Sequence, residues 1–529
     1  MESIKFASPQ TVKVMLRDGG ELALVDVRDQ GVYFHEHLLF ASCIPLGELE
    51  IRVADLIPRR GTRIVLCDGE DDGPAHAAAG KIVGLGYSDV CVMSGGVAAW
   101  RSAGFEIFSG INVVSKAFGE HVEHRYDTPR ITAQVLAAKR DSGENMIILD
   151  SRPMEEFHNI SIPGGIDCPG AELVYRVFDA APDPATLVVV NCAGRTRSII
   201  GAQSLINAKI PNRVVALKDG TMGWQLAGYE PAGKETIHAE KPSEAGLNCA
   251  KAAAARVAEK FGVETIDHSQ LTKWQSEREQ RTLYLLDVRT PEEYVEGHLA
   301  GSRPAPGGQL VQATDEFVAT RHARVVLVDN DGVRATMTAS WLRQMGWVEV
   351  YVLGNALSQP LEQGQFEPAT LGLREATTLS VQDLKQTMDG GEDVLILDFA
   401  TSLHYRRQHI PGALWAMRTR LDEALSGIPA TVQLVATSSD GLLAPYVAND
   451  LKRDYPGRSV LALAGGTRAW IDAGFSTATG PAHLTTEAND IWYKPYEQAS
   501  SVRDAMQGYL DWEVNLVAQI ERDGDAHFL

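Results

Sequence analysis

The chain has 529 residues, of which 44% are apolar and 22% charged, and its net charge is −20. It is too long for one hydrophobic core, and its length is that of about three to five ordinary domains. The acidic balance without a basic tract argues against nucleic acid or an anionic membrane surface as a partner. No apolar run reaches the ~18 residues needed to cross a bilayer.

The N-terminal stretch MESIKFASPQTVKVML lacks a charged segment leading into an apolar one and a cleavage site, so a cytoplasmic chain is expected. A repeat then sets in. Helix-like segments (SPQTVKVMLRDGG, TAQVLAAKRDSGE, DHSQLTKWQSERE, SVQDLKQTMDGGE) open on a capping side chain. Each leads into a strand ending in an aspartate: LALVDVR to Arg28, MIILDSR to Arg152, LYLLDVR to Arg289, and VLILDFA to Ala400. A second apolar run follows each time: TRIVLCD, TLVVVNC, ARVVLVDN and VQLVATS. Three units close on a tryptophan signature, around Trp100, Trp224 and Trp470, and the third replaces it with LGNALSQP. Continuous apolar runs alternating with helices predict an α/β fold, with parallel sheets flanked by helices and repeated four times.

The expected units are 1–112, 120–233, 262–368 and 374–480. An alanine-rich linker helix is predicted over 234–261. A C-terminal helical extension is predicted over 481–529, amphipathic, starting near Pro495 and packing on the body or on a second copy.

Counting between repeat markers aligns Cys192 with Asp68, with Asn330 or Asp329, and with Ser438. Only the second unit has a thiol there. The stretch NCAGRTRSIIGAQ, Asn191–Gln203, reads as a strand-to-helix turn at the carboxyl end of a sheet, where open α/β folds bind ligands. Inward backbone N–H groups, a helix N-terminus, Arg195 and Arg197 are expected to lower the Cys192 pKa and to hold an anion. Ala193, Gly194, Thr196 and Ser198 complete the loop as substrate-binding candidates.

Each unit resembles a rhodanese domain. In the second, DSRPMEEF, SIPGGI, CAGRTRS and LKDGTMGW match the family's spaced motifs; the third keeps DVRTPEEYVEGHLAGS and the fourth QHIPGALW. The resemblance implies that Cys192 takes the sulfane sulfur of a donor such as thiosulfate, becomes a persulfide, and passes the sulfur to cyanide or a thiol by ping-pong kinetics. It implies no cofactor and no metal. It makes Asp150, Arg152 and Glu156 structural supports and gives His298 and His409 structural roles. Ser161 departs from the family's histidine. Asp219 departs from its first glycine and is a candidate accessory carboxylate. The competing readings are a multi-unit scaffold or sulfur-carrier binding protein, and a cysteine-loop phosphatase or arsenate reductase. The latter is disfavoured because the loop arginine stands five residues after the cysteine, not six.

Six cysteines without a C-x-x-C pair disfavour a disulfide framework or structural zinc. Cys67, Cys91 and Cys249 are expected in the core. Cys43 and Cys168 are candidate resolving thiols. The acidic turn Cys67–Gly73 is expected to be solvated and to repel anions. A small anionic sulfur donor and a thiophilic acceptor are the expected partners, and a homodimer is a candidate assembly.

Overall fold

The computed structural model describes residues 4–70, 73–391, 393–498 and 500–529. Asp71 and Asp72 of the acidic turn, Glu392 at the end of the fourth helical segment and Ala499 in the tail lie outside the described residues, as do the first three.

The four opening helices span Pro9–Arg17, Ala133–Asp141, His268–Ser276 and Val381–Asp389. Ser8, Thr132, Asp267 and Ser380 cap them: each side-chain oxygen accepts the N–H three residues on, satisfying a group that the helix leaves open.

The second unit shows the sheet pattern. Its strands run in the order Arg130–Ile131, Val214–Leu217, Leu187–Asn191, Met146–Asp150, Gly165–Asp167, all parallel. The third and fourth units repeat that order with Arg324–Val328 and Gln433–Thr437 as the central strand. The first does so around Ile64–Cys67, and its edge accepts one antiparallel strand, Thr320–Arg321, from the third unit. The central strands are buried along nearly their whole length because helices cover both faces, which is why they read as unbroken apolar runs.

Three helices outside these sheets matter for the site. The linker helix Glu244–Phe261 buries Ala250, Ala253, Ala254 and Val257 in a cluster with Leu173 and Val177 of the second unit and Met337 of the third. Cys249 lies on its exposed side, not in the core as expected, because the small-residue stripe turns the alanines inward. A helix not anticipated from the sequence, Val113–Tyr126, bridges the gap expected between units at 112 and 120. The C-terminal extension forms a short turn at Pro495–Glu497 and a helix only from Val502 to Asp523, later than the predicted start near Pro495. Its Leu516 and Ile520 pack on Val113 and Ala117, and Lys13 ties down Asp523 and Asp525 at 2.8 and 2.6 Å. Among the described residues no helix is long and apolar enough to cross a membrane.

Candidate active site

Cys192 follows the strand Leu187–Asn191 and precedes the helix Thr196–Asn207. The adjoining strand runs to Asp150, so the loop sits where the chain departs in opposite directions from neighbouring strands, the place where such sheets open a crevice. Asn191 fixes the strand ends by donating to Asp150 at 2.7 Å and to Thr221 at 3.2 Å. The backbone N–H groups of Thr221 and Met222 donate to the carbonyls of Cys192 and Ala193 at 2.8 and 2.9 Å. That clamp requires Gly220: its φ is +55°, and a Cβ there would overlap the Cys192 carbonyl oxygen. Asp219, before it, also holds a positive φ of 60°.

The same clamp recurs and settles the register of the repeat. Val97 and Thr467 donate to the carbonyls of Asp68 and Ser438 at 2.9 Å each. In the third unit Asp287 pairs with Val328, as Asp150 pairs with Asn191, so the counterpart of Cys192 is Asp329 rather than Asn330. Asp329 accepts the N–H groups of Gly332 at 2.7 Å and Ala335 at 3.0 Å. Asp68 accepts the N–H of Ala75 at 3.0 Å. Ala335 stands six residues after Asp329, as Ser198 stands six after Cys192, and the Ser198 hydroxyl donates to the Arg195 carbonyl at 2.8 Å. The turn is thus an anion cradle in which two units carry a built-in carboxylate and one carries sulfur.

The two loop arginines differ. Arg197 makes a bidentate pair with Glu156 (3.1 and 2.8 Å) and reaches Gln309 of the third unit at 3.2 Å. Lys494 of the C-terminal extension also approaches Glu156, at 3.3 Å. Burial pushes the Glu156 carboxyl up, but Arg197 and Lys494 overcome it and hold it well below the usual carboxylate range. Arg195 turns away from the crevice. It is shared among Glu120 (2.6 and 2.7 Å), Glu123 (2.6 Å) and Asp219 (3.0 Å), so its charge is neutralised by structure rather than offered to an anion. Asp150 and Arg152 form a buried pair at 2.8 Å beneath the loop, and Arg152 also donates to the Ile160 carbonyl at 2.6 Å.

The C-terminal helix lies over the loop. Met506 and Leu510 cluster with Met222 and the partly buried Ala193. Glu513 accepts from Thr196 at 3.2 Å and from Tyr509 at 3.1 Å, and Lys116 of the bridging helix donates to the Tyr509 hydroxyl at 2.6 Å. Cys192 is left 2% exposed. Its pKa is accordingly raised, because burial outweighs Arg197 and the hydrogen bonds from Ser198. The expected lowering is reversed in this closed arrangement: the charges counted from the sequence are partly neutralised, and the C-terminal helix, expected to pack on the body, packs over this loop.

Among the other thiols, Cys168 is fully buried in the core cluster with Leu149 and Leu173, and Cys43 is half-buried in the first unit; burial pushes both well above the usual thiol range. Ser161 is buried in a bridge with Ala232, and His298 and His409 stack on Tyr294 and Tyr405. Among the described residues no group of three or more His, Cys, Asp or Glu could hold a metal. Residues that sequence reasoning did not select are Lys116, Gln309, Lys494, Tyr509 and Glu513. They come from three distant segments, and no motif spacing marks them.

A family model described as "Rhodanese-like domain" matches residues 8–103, 132–227 and 267–359. The fold is similar to the crystal structure of a thiosulfate sulfurtransferase from Pseudomonas aeruginosa, with a TM-score of 0.92 and 46% identity over 99% of both chains. Among curated proteins the chain is 34% identical over 98 residues to an HTH-type transcriptional regulator of Mycobacterium tuberculosis, covering 18% of this chain and 42% of that one. It is 37% identical over 73 residues to an uncharacterized protein of Bacillus subtilis, covering 14% of this chain and 56% of that one. The chain spans about half the length of these two curated relatives.

Proposed function

The chain belongs to the rhodanese-like domain family, and on that premise we propose that its second unit is a thiosulfate sulfurtransferase working through a persulfide on Cys192. The observation that carries the reading is the register: of four equivalent positions after the central strand, this one alone presents a thiol, and it does so in a turn whose counterparts in the first and third units bind carboxylate oxygens. Cys192 reacts as its thiolate, the thiol proton passing to solvent; Sγ attacks the outer sulfur of thiosulfate, the sulfur–sulfur bond breaks and its electron pair leaves with sulfite. The Ser198 N–H and Arg197 stabilise the charge on the persulfide. A thiophilic acceptor, cyanide or a thiol, then removes the outer sulfur and restores the thiolate. The loop residues Ala193, Gly194, Thr196, Arg197 and Ser198 bind the donor, with Arg197 as the principal cation. Asp150, Arg152 and Glu156 support the loop, and Asp219 acts by holding Arg195.

Intact-mass measurement after thiosulfate treatment tests this. Wild type should gain one sulfur and Cys192→Ser none. A gain that survives the substitution would overturn the assignment.

A further inference from the structure

The C-terminal helix brings one group to the loop that the proposed sulfur transfer has not used. Glu513 is 1% exposed, and its two oxygens are treated differently. Oε1 accepts from Thr196 and Tyr509 and faces Lys116 at 3.9 Å. Among the described residues Oε2 is buried with no hydrogen-bond partner. An unpaired buried carboxylate oxygen costs a few kcal/mol, so a fold that keeps one is providing for a group that arrives later. The oxygen is aimed at the loop. It lies 3.1 Å from where a Cβ on Gly194 would stand, so only the absence of a side chain at Gly194 leaves room before it. Glu513, Tyr509 and Lys116 all lie within electrostatic reach of the Cys192 sulfur.

We propose that Glu513 is the base that takes the proton from a thiol acceptor in the second half-reaction, through the unpartnered Oε2 that faces the Cys192 turn. The inference rests on the persulfide reading above and specifies its acceptor: a thiol that reaches the site still protonated. The step balances without an oxidant or reductant. The S–H bond of the acceptor breaks and its proton goes to Oε2. The resulting thiolate forms a bond to the outer sulfur of the Cys192 persulfide. The bond between that sulfur and Sγ breaks, and its electron pair stays on Sγ. The products are the acceptor's persulfide anion, the Cys192 thiolate and protonated Glu513.

The surroundings suit a base. Burial pushes the Glu513 carboxyl up, and the charge of Lys116 opposes it; Glu120, Arg195 and Tyr509 are the other ionisable groups that face it. A carboxylate raised from its usual range is better matched to accepting a proton near neutral pH than an exposed one. Lys116 and Tyr509 hold the side chain in place and are positioning residues.

The test separates the half-reactions in the full-length protein. Loading of Cys192 from thiosulfate is followed by intact mass, and unloading is then followed with three acceptors: an alkyl thiol of pKa about 8.5, an acidic aromatic thiol, and sulfite at a pH where it has no proton to give. In Glu513→Gln, unloading by the alkyl thiol should slow about 100-fold more than unloading by sulfite. The deficit should shrink as the acceptor thiol becomes more acidic, and Glu513→Asp should recover part of the rate. Equal slowing with all three acceptors, in a variant whose unfolding midpoint matches wild type, would show that Glu513 only packs the helix onto the loop, and the proposal falls. If wild type fails to load, the persulfide reading itself fails, which is a distinct result.

Discussion

The second and third units carry nearly the same loop. Arg334 stands five residues after Asp329, as Arg197 stands five after Cys192, and Arg334 pairs with Glu293 (2.5 and 3.2 Å) as Arg197 pairs with Glu156. The two units also face each other reciprocally. Arg197 reaches Gln309 of the third unit, and Arg334 reaches Glu172 of the second at 2.9 Å. At the seam Gly170 and Gly308 pack so closely that side chains there would collide. Two differences separate the loop proposed to carry the sulfur from its counterpart in the third unit. The third has a carboxylate where the second has sulfur, so its cradle is already filled. Its arginine is also fully buried, held by two carboxylates and stacked on Tyr175. Loop shape, arginine and buried acid are therefore properties of the scaffold, and the thiol together with an incompletely neutralised cation is what the second unit adds.

The sharpest way to break this comparison is to move the thiol. Cys192→Ser should lower thiocyanate formation from thiosulfate and cyanide by about 10³-fold or more, since the equivalent turns of the other units carry Asp68, Asp329 and Ser438 instead of a thiol. Adding Asp329→Cys to that variant should leave the rate at least roughly 100-fold below wild type, because Arg334 and the closed seam do not admit a donor. Recovery to near wild type would show that the cradle alone suffices.

Next in size is the cation. Arg197→Ala should reduce kcat/KM for thiosulfate about 100-fold, whereas Arg195→Ala should act mainly on stability, because Arg195 serves Glu120, Glu123 and Asp219. Steady-state kinetics beside urea unfolding distinguishes the two.

A third test concerns the filled cradle. Asp329→Asn replaces one of the two oxygens that accept the Gly332 and Ala335 N–H groups with an NH2 that cannot accept, and although it also relieves a carboxyl pushed up by burial and by Asp331, it should cost about 1–3 kcal/mol in the unfolding of the third unit, read from urea midpoints. Cys192→Ser, which alters a weaker acceptor, should cost less.

The smallest effect is a pH dependence. Glu156 has its carboxyl depressed in the folded protein, so its contribution to stability is complete above its unfolded pKa of about 4.3 and is lost as pH falls below that toward its folded value. The stability gap between wild type and Glu156→Gln should therefore be constant from pH 7 to about 5 and narrow below 4.3. A gap that widened on acidification would contradict the pairing with Arg197 and Lys494.

The sequence by itself determined the repeat, the strand ends and the thiol. Those depend on patterns that each unit carries locally: a capped helix, an apolar run and an aspartate at its end. The counting that aligned Cys192 with Asp68 and Ser438 agrees with the clamp hydrogen bonds, and it left one position open only where the third unit lacks its tryptophan. Arg334, five residues after Asp329, was also legible there as a loop arginine, though the reading did not select it. Only the tertiary structure decided what surrounds the sulfur. Which arginine is neutralised depends on Glu120 and Glu123 from a helix between units. Which groups cover the loop depends on Lys116 and on Tyr509 and Glu513, more than three hundred residues beyond Cys192. Their order along the chain bears no relation to their distance in space, and burial, which sets the direction of the Cys192 pKa, arises only when these segments close over the loop.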